Sequence, residues 1–249
     1  MRSVRPCATR RPGFGWPCRR KCGANHHPMS RFYVISGAHG VGKTTVTELV
    51  HQILSERGHP TTTFHHRADK DAIKARAQRG NASRATWKRK LWHQLPAGLR
   101  AWLIAAVDEI KYAQNVTRRI ADATTNGKSA ISDRYVYDRL VDLRLHSRSR
   151  PQISAVGMAC RVMRKPDITF LLTDIPERIN ARKDELSPDL IAIYQDALRA
   201  LLIQLGIPFR EISVDGRTAA AVASNIVNAI EATEATLGAT RGTDQREKP

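Results

Sequence analysis

The chain has 249 residues, 41% of them hydrophobic, a size and content that one α/β domain with a proper core accounts for. No apolar stretch reaches the ~20 residues a membrane-spanning helix needs, which excludes that class and leaves a soluble protein as the expectation. Lys and Arg number 41 against 23 Asp and Glu, a formal charge of +18, and such an excess points to a polyanionic partner, whether nucleic acid, an anionic surface or a phosphorylated substrate.

Residues 1–28 carry Arg2, Arg5, Arg10, Arg11, Arg19, Arg20 and Lys21 and no Asp or Glu. They also carry Cys7, Cys18 and Cys22, with Cys160 the remaining cysteine. The segment lacks the apolar h-region of a secretory signal, and its Pro and Gly break the amphipathic helix of a transit peptide. Cys18, Cys22 and His26 or His27 are ligating residue types, but zinc sites pair their cysteines more tightly. The expectation is a basic, disordered leader or over-extended start, a working domain from Met29 to Leu237, and a polar tail from Gly238. One cysteine in the body argues against disulfides and for a reducing cytoplasm.

Phe32-Tyr33-Val34-Ile35 is a short apolar run ending at Ser36-Gly37, the pattern of a buried parallel strand. From Thr44 to Arg57 the spacing of Val46, Leu49, Val50, Ile53 and Leu54 predicts a helix, stopped by Gly58 and Pro60. Thr61 to Phe64 reads as a second strand. Residues 68–125 read as largely helical, with Trp102, Leu103, Ile104 and Val107 in the core and Asp108, Glu109 and Tyr112 within reach of a pocket. Asn126-Gly127 marks a turn. Ser129 to Ser132 is a third strand leading into Asp133, helices follow to about residue 164, and Asp167 to Leu172 is a fourth strand. Helices over 175–183 and 189–205, a strand over 210–214 and a helix over 218–237 close the order. Strands alternating with helices predict a three-layer α/β fold with a five-stranded parallel sheet.

Gly37-Ala38-His39-Gly40-Val41-Gly42-Lys43-Thr44 is a complete G-x-x-x-x-G-K-T between a predicted strand and a predicted helix. Its glycines let consecutive backbone N–H groups face phosphates, and the helix after it adds the positive end of its dipole. Lys43 is placed for the β- and γ-phosphates of ATP, and Thr44 for Mg²⁺, with Thr45 beside it. Asp133-Arg134-Tyr135 sits where the third strand ends, so these side chains belong to the same crevice. A carboxylate there can hold Mg²⁺ or accept a proton, and Arg134 can clamp an anion. Asp138 and Asp142 are spaced i, i+4 and share a helix face. They meet either hydroxyls or an amine of an acceptor, or Arg139 and Arg144 at the surface. Tyr135 lines a pocket or packs the helix, and packing is preferred for Tyr137. His39, His65 and His66 do not form a defensible metal set.

The P-loop in the first βα unit, Asp133-Arg134-Tyr135 after the third strand, Pro166-Asp167 opening the fourth, the turn Asp174-Ile175-Pro176-Glu177-Arg178 and the basic Arg182-Lys183 together resemble the thymidylate kinases. The resemblance covers about residues 31–232. It implies a P-loop kinase fold with a helical lid whose arginines, here Arg178 and Arg182 with Lys183, close over the transferring phosphoryl group. It further implies that Arg134 holds the phosphate of an acceptor and that Asp133 serves the metal or the acceptor. Three departures fall on the acceptor side. His39 stands where that family keeps an Asp, His66-Arg67-Ala68 replaces Arg-Glu-Pro and leaves Arg67 for the Arg, and Asp138 and Val141-Asp142-Leu143 replace Ser and Ala-Tyr-Gln.

The basic stretch from Arg67 to Lys90 contains Trp87, with Trp92 just beyond it, a mixture that also suits nucleic acid. With no nucleic-acid module in the pattern, the acceptor cover of a kinase is the preferred account. The expected reaction is phosphoryl transfer from MgATP to a nucleoside monophosphate resembling dTMP. The alternatives are a kinase of another phosphorylated metabolite or sugar, and a nucleotide-dependent switch or nucleic-acid-associated ATPase. A homodimer is left open.

Overall fold

A computed structural model describes residues 30–65, 95–147 and 149–244, with side chains to residue 235. The leader with its cysteines, His66, Arg67, and the basic stretch with Trp87 and Trp92 lie outside the described residues.

The elements run β1 (Phe32–Gly37), α1 (Lys43–Glu56), β2 (Thr61–His65), α2 (Ala97–Thr125), β3 (Ser129–Asp133), α3 (Val136–His146), α4 (Arg150–Val162), β4 (Ile168–Thr173), α5 (Pro176–Arg182), α6 (Pro188–Gln204), β5 (Phe209–Ser213) and α7 (Ala219–Asp244). The five strands form one parallel sheet in the order β2-β3-β1-β4-β5. All six residues of β1 are buried, because helices cover both faces of the sheet and a central strand has no solvated side. On one face α1 packs against α7. On the other, α2, α4, α3 and α6 touch in succession, and α5 docks on α6. The three-layer α/β P-loop kinase architecture is thus present. Among the described residues no helix is long and apolar enough to cross a membrane.

Two readings of the sequence are corrected. In α2 the buried stripe is Glu109, Tyr112, Val116, Ile120 and Ala123, whereas Ile104 is 54% and Val107 46% exposed. The helical period is as expected, but its phase is set by Glu109, a polar residue whose carboxylate is taken up by an ion pair with Arg139. A carboxylate in a core stripe needs such a partner. Glu109 and Tyr112 are therefore interior groups among the described residues, 3% exposed each. The second correction is at the C-terminus, where α7 continues through residues 238–244, the beginning of the expected tail.

The sheet places its chemistry at one end. β1 lies between β3 and β4, and ligands of such sheets bind outside the carboxyl ends where the order turns back. The loop after β1, the turn after β3 and the segment after β4 all emerge there.

Candidate functional site

The loop between β1 and α1 is shaped by its glycines. Gly37 has φ +149°, and a Cβ there would sit 2.5 Å from the carbonyl oxygen of Leu172 on β4. Backbone cannot yield as a side chain can, so Gly37→Ala is expected to destabilise the fold by about 3 kcal/mol, lowering the melting midpoint by roughly 10 °C. A midpoint unchanged in calorimetry would show that β1 and β4 are not so closely held. Gly40 has φ +83°, and a Cβ there would meet Ile179 Cγ2 at 3.2 Å and Lys183 Cβ at 3.3 Å. The tip of the loop therefore rests on α5.

Gly42, in the left-handed conformation, begins α1, and no side chain caps that end. The first N–H groups of the helix are left for a ligand, beside the positive end of its dipole. Lys43 is 4% exposed, and its ammonium donates to the carbonyls of Gly37 at 2.8 Å and Ala38 at 2.6 Å. Burial, and then the nearby Arg134, lower its pKa to about 8. Ala38 and Val41 are buried, Thr44 and Thr45 exposed.

Thr44 Oγ1 donates to Asp133 Oδ2 at 2.7 Å, which joins the helix start to the end of β3. His65 Nδ1 lies 3.2 Å from the same oxygen. The parallel register sets His65 directly across from Asp133. The other oxygen, Asp133 Oδ1, is buried with no hydrogen-bond partner among the described residues. A hydroxyl touching a carboxylate that keeps an unused oxygen suits a hard divalent cation that retains most of its waters. Thr44 and Asp133 therefore fit Mg²⁺, although no cluster of three His, Cys, Asp or Glu occurs among the described residues.

Arg134 follows at φ +72°, the one positive φ outside glycine among the described residues. This backbone costs of order 1–3 kcal/mol and is seen chiefly where function fixes the geometry. Its amide donates to the carbonyl of Ile35 and its carbonyl accepts from the Ser132 hydroxyl. The guanidinium is thereby turned toward the loop, with NH1 3.2 Å from His39 Nε2 and 3.9 Å from Asp142. His39 Nε2 is 3.0 Å from Asp142 Oδ1, its Nδ1 is 3.7 Å from Glu185 Oε2, and the Tyr194 ring meets it edge-on. Beside this cluster opens a cavity of about 510 Å³ whose walls include Leu143, His146 and Leu186.

The structure separates the two acids that the sequence put on one face. Asp142 borders the cavity. Asp138 is 1% exposed and accepts from the Ser36 hydroxyl at 2.5 Å and the Tyr135 amide at 2.9 Å. Burial raises its pKa, against the pull of Lys43 and those two hydrogen bonds. Asp138 is thus an internal strut and has no open side for a substrate. Tyr135 is likewise corrected: it is 2% exposed, and its hydroxyl donates to the carbonyl of Arg164. Tyr137 packs as expected, its hydroxyl 2.7 Å from that of Thr169.

The basic residues of the segment after β4 divide. Arg178 pairs with Asp215, and Arg182 with the buried Asp174 at 2.8 Å. Both anchor at the carboxyl ends of β4 and β5. Lys183 backs onto the loop at Gly40 and pairs with Glu185 at 2.9 Å. Ser36 and His65 were not singled out as site residues from sequence. The pairing register of β2 with β3 is the signal that finds His65.

Comparison with known proteins agrees with this geometry. A family model described as AAA domain matches residues 32–218. A thymidylate kinase from Candida albicans, an enzyme of broad substrate specificity, has a similar structure. The TM-score is 0.54 at 18% identity, covering 83% of this chain and 93% of that one. No curated protein matches the chain. The chain belongs to the AAA-domain family, with a P-loop nucleotide-binding site built on the fold of a thymidylate kinase.

Proposed function

We propose that the protein is a phosphotransferase that moves the γ-phosphoryl group of MgATP to a small acceptor seated between Arg134 and the His39–Asp142 cavity. The observation that carries this reading is the Thr44–Asp133 contact of 2.7 Å beside Lys43 at the uncapped start of α1. Loop amides, Lys43 and the helix dipole neutralise the charge of a triphosphate. Thr44 and Asp133 would hold Mg²⁺, which would supply further neutralisation of the phosphate charge. Arg134 orients the acceptor against the loop. Arg178, Arg182 and Lys183 are the cations available to the transferring group, and each must exchange its present carboxylate for it.

The Asp133-Arg134-Tyr135 turn and the likeness in fold support a nucleoside monophosphate resembling dTMP as the acceptor. A second reading, an acceptor outside that class, is favoured by one observation: Asp142 and Glu185 stand at the place where the phosphate would approach. The deciding experiment is a coupled ADP-release assay over nucleosides, nucleoside monophosphates, sugars and phosphorylated metabolites. ADP formed only in the presence of an acceptor supports the kinase, whereas acceptor-free release stimulated by nucleic acid would replace it by an ATPase. In the same assay Arg134→Ala is expected to lower kcat/KM for the acceptor by roughly 10- to 100-fold. ATP affinity is expected to stay within about threefold, since among the described residues the hydrogen bonds of the Arg134 guanidinium to the loop go to His39. Equal losses on both substrates would remove the role assigned to Arg134.

A further inference from the structure

The chain carries a formal charge of +18, yet beside the P-loop that excess is cancelled locally. Arg134, Lys183, Arg139 and His39 each already face a carboxylate. Arg134 NH1 is 3.9 Å from Asp142, and Lys183 Nζ is 2.9 Å from Glu185. Arg139 is engaged by the buried Glu109. His39 is held between Asp142 and Glu185, at 3.0 Å and 3.7 Å. His146 Nδ1 lies 3.1 Å from a carbonyl oxygen of its own helix, that of Asp142.

We propose that Asp142 and Glu185 select the acceptor by charge, so that this cavity takes a neutral or amine-bearing alcohol and turns away a phosphate monoester. The proposal rests on the second of the two readings, an acceptor other than a nucleoside monophosphate, seated in this cavity. A phosphate monoester brings close to two negative charges at neutral pH. To reach Arg134 or Lys183 it must either displace a carboxylate already paired or lie beside it, and a like charge set against these carboxylates disfavours that partner. The hydrogen bond from Lys183 holds the Glu185 carboxyl below its usual range. A hydroxyl or ammonium, by contrast, donates to both carboxylates without breaking the pairs. Leu143 and Leu186 supply the apolar walls against which the rest of such a molecule lies. His39, in the P-loop position that faces the acceptor, is oriented by the same two acids. The selection is therefore built into the phosphate loop itself.

The test is equilibrium binding of thymidine and dTMP to the full chain and to D142N/E185Q, each with Mg²⁺ and a non-hydrolysable ATP analogue present. Both positions are partly exposed, and a melting midpoint within a few degrees of the parent controls for folding. The parent is expected to bind thymidine at least as tightly as dTMP. The double variant is expected to bind dTMP at least tenfold more tightly than the parent does, and thymidine no more tightly than the parent does. Tighter binding of dTMP than thymidine by the parent, or no gain in the variant, overturns the proposal. A gain in dTMP binding alongside ADP release that fails with every acceptor would remove the kinase reading and leave the charge selection standing. ADP release confined to phosphorylated acceptors would do the reverse.

Discussion

Lys43→Met is expected to lower turnover at least about a thousandfold while leaving the melting midpoint at pH 7 unchanged or higher. The loss of activity follows from removing the one cation buried inside the phosphate loop, where charge stabilisation is the main work of phosphoryl transfer. The gain or neutrality in stability follows from the same burial. The pKa of Lys43 falls from 10.5 to about 8. That difference of 2.5, at ~1.36 kcal/mol per pKa unit, makes the charged form about 3 kcal/mol costlier in the fold than in the open chain. Two hydrogen bonds to Gly37 and Ala38 carbonyls offset part of the cost of burial. Because the folded pKa is the lower one, the unfolded chain binds more protons between about pH 8 and 10.5. Stability from this group therefore rises with pH across that window and is at its least below it. Thermal unfolding from pH 7 to 10 should show a rise in the parent that is absent in Lys43→Met. A variant that loses both activity and several degrees of midpoint would instead assign Lys43 a structural role. Arrival of a triphosphate restores a counter-charge, so at pH 8.5 binding should take up roughly 0.7 proton, readable by calorimetry in buffers of different ionisation enthalpy.

The second large effect is on stability. Asp138→Ala is expected to cost about 2–4 kcal/mol and to lower the midpoint by about 10 °C. The carboxylate is buried, satisfies the Ser36 hydroxyl at the end of β1, and reaches back to the Tyr135 amide at the start of α3. Removing it strands two buried donors and the cap of a helix at once. Asp138→Asn keeps an acceptor oxygen and is expected to lose about half as much. If instead the Ala variant kept its midpoint and lost only acceptor use, Asp138 would be a substrate ligand, as the i, i+4 spacing with Asp142 suggests.

These two acids show how far the sequence carries. Periodicity and the glycine pattern specify the strands, the helices and the phosphate loop, since those are local properties of the chain. Spacing also puts Asp138 and Asp142 on one face of α3, but it is silent on what lies opposite. Ser36 arrives from β1, 102 residues earlier in the chain, and turns Asp138 into an interior group. The inverted reading of α2 has the same origin. Ile104 and Val107 look more core-like than Glu109, and only Arg139, delivered by α3, reverses the order. Arg178 and Arg182 are legible in the sequence as basic residues of the segment after β4. Their pairing with Asp174 and Asp215 depends on strand ends that the sequence does not bring together.

The seat of the loop tip on α5 has one more consequence. Gly40 leaves room for Ile179 and Lys183, and Lys183 in turn holds Glu185, which borders the acceptor cavity. Donor loop, basic helix and acceptor wall are consecutive members of a single contact chain. On the proposed reading, the two ligands are expected to bind with a coupling free energy, so that their separate binding free energies do not add to that of the ternary complex.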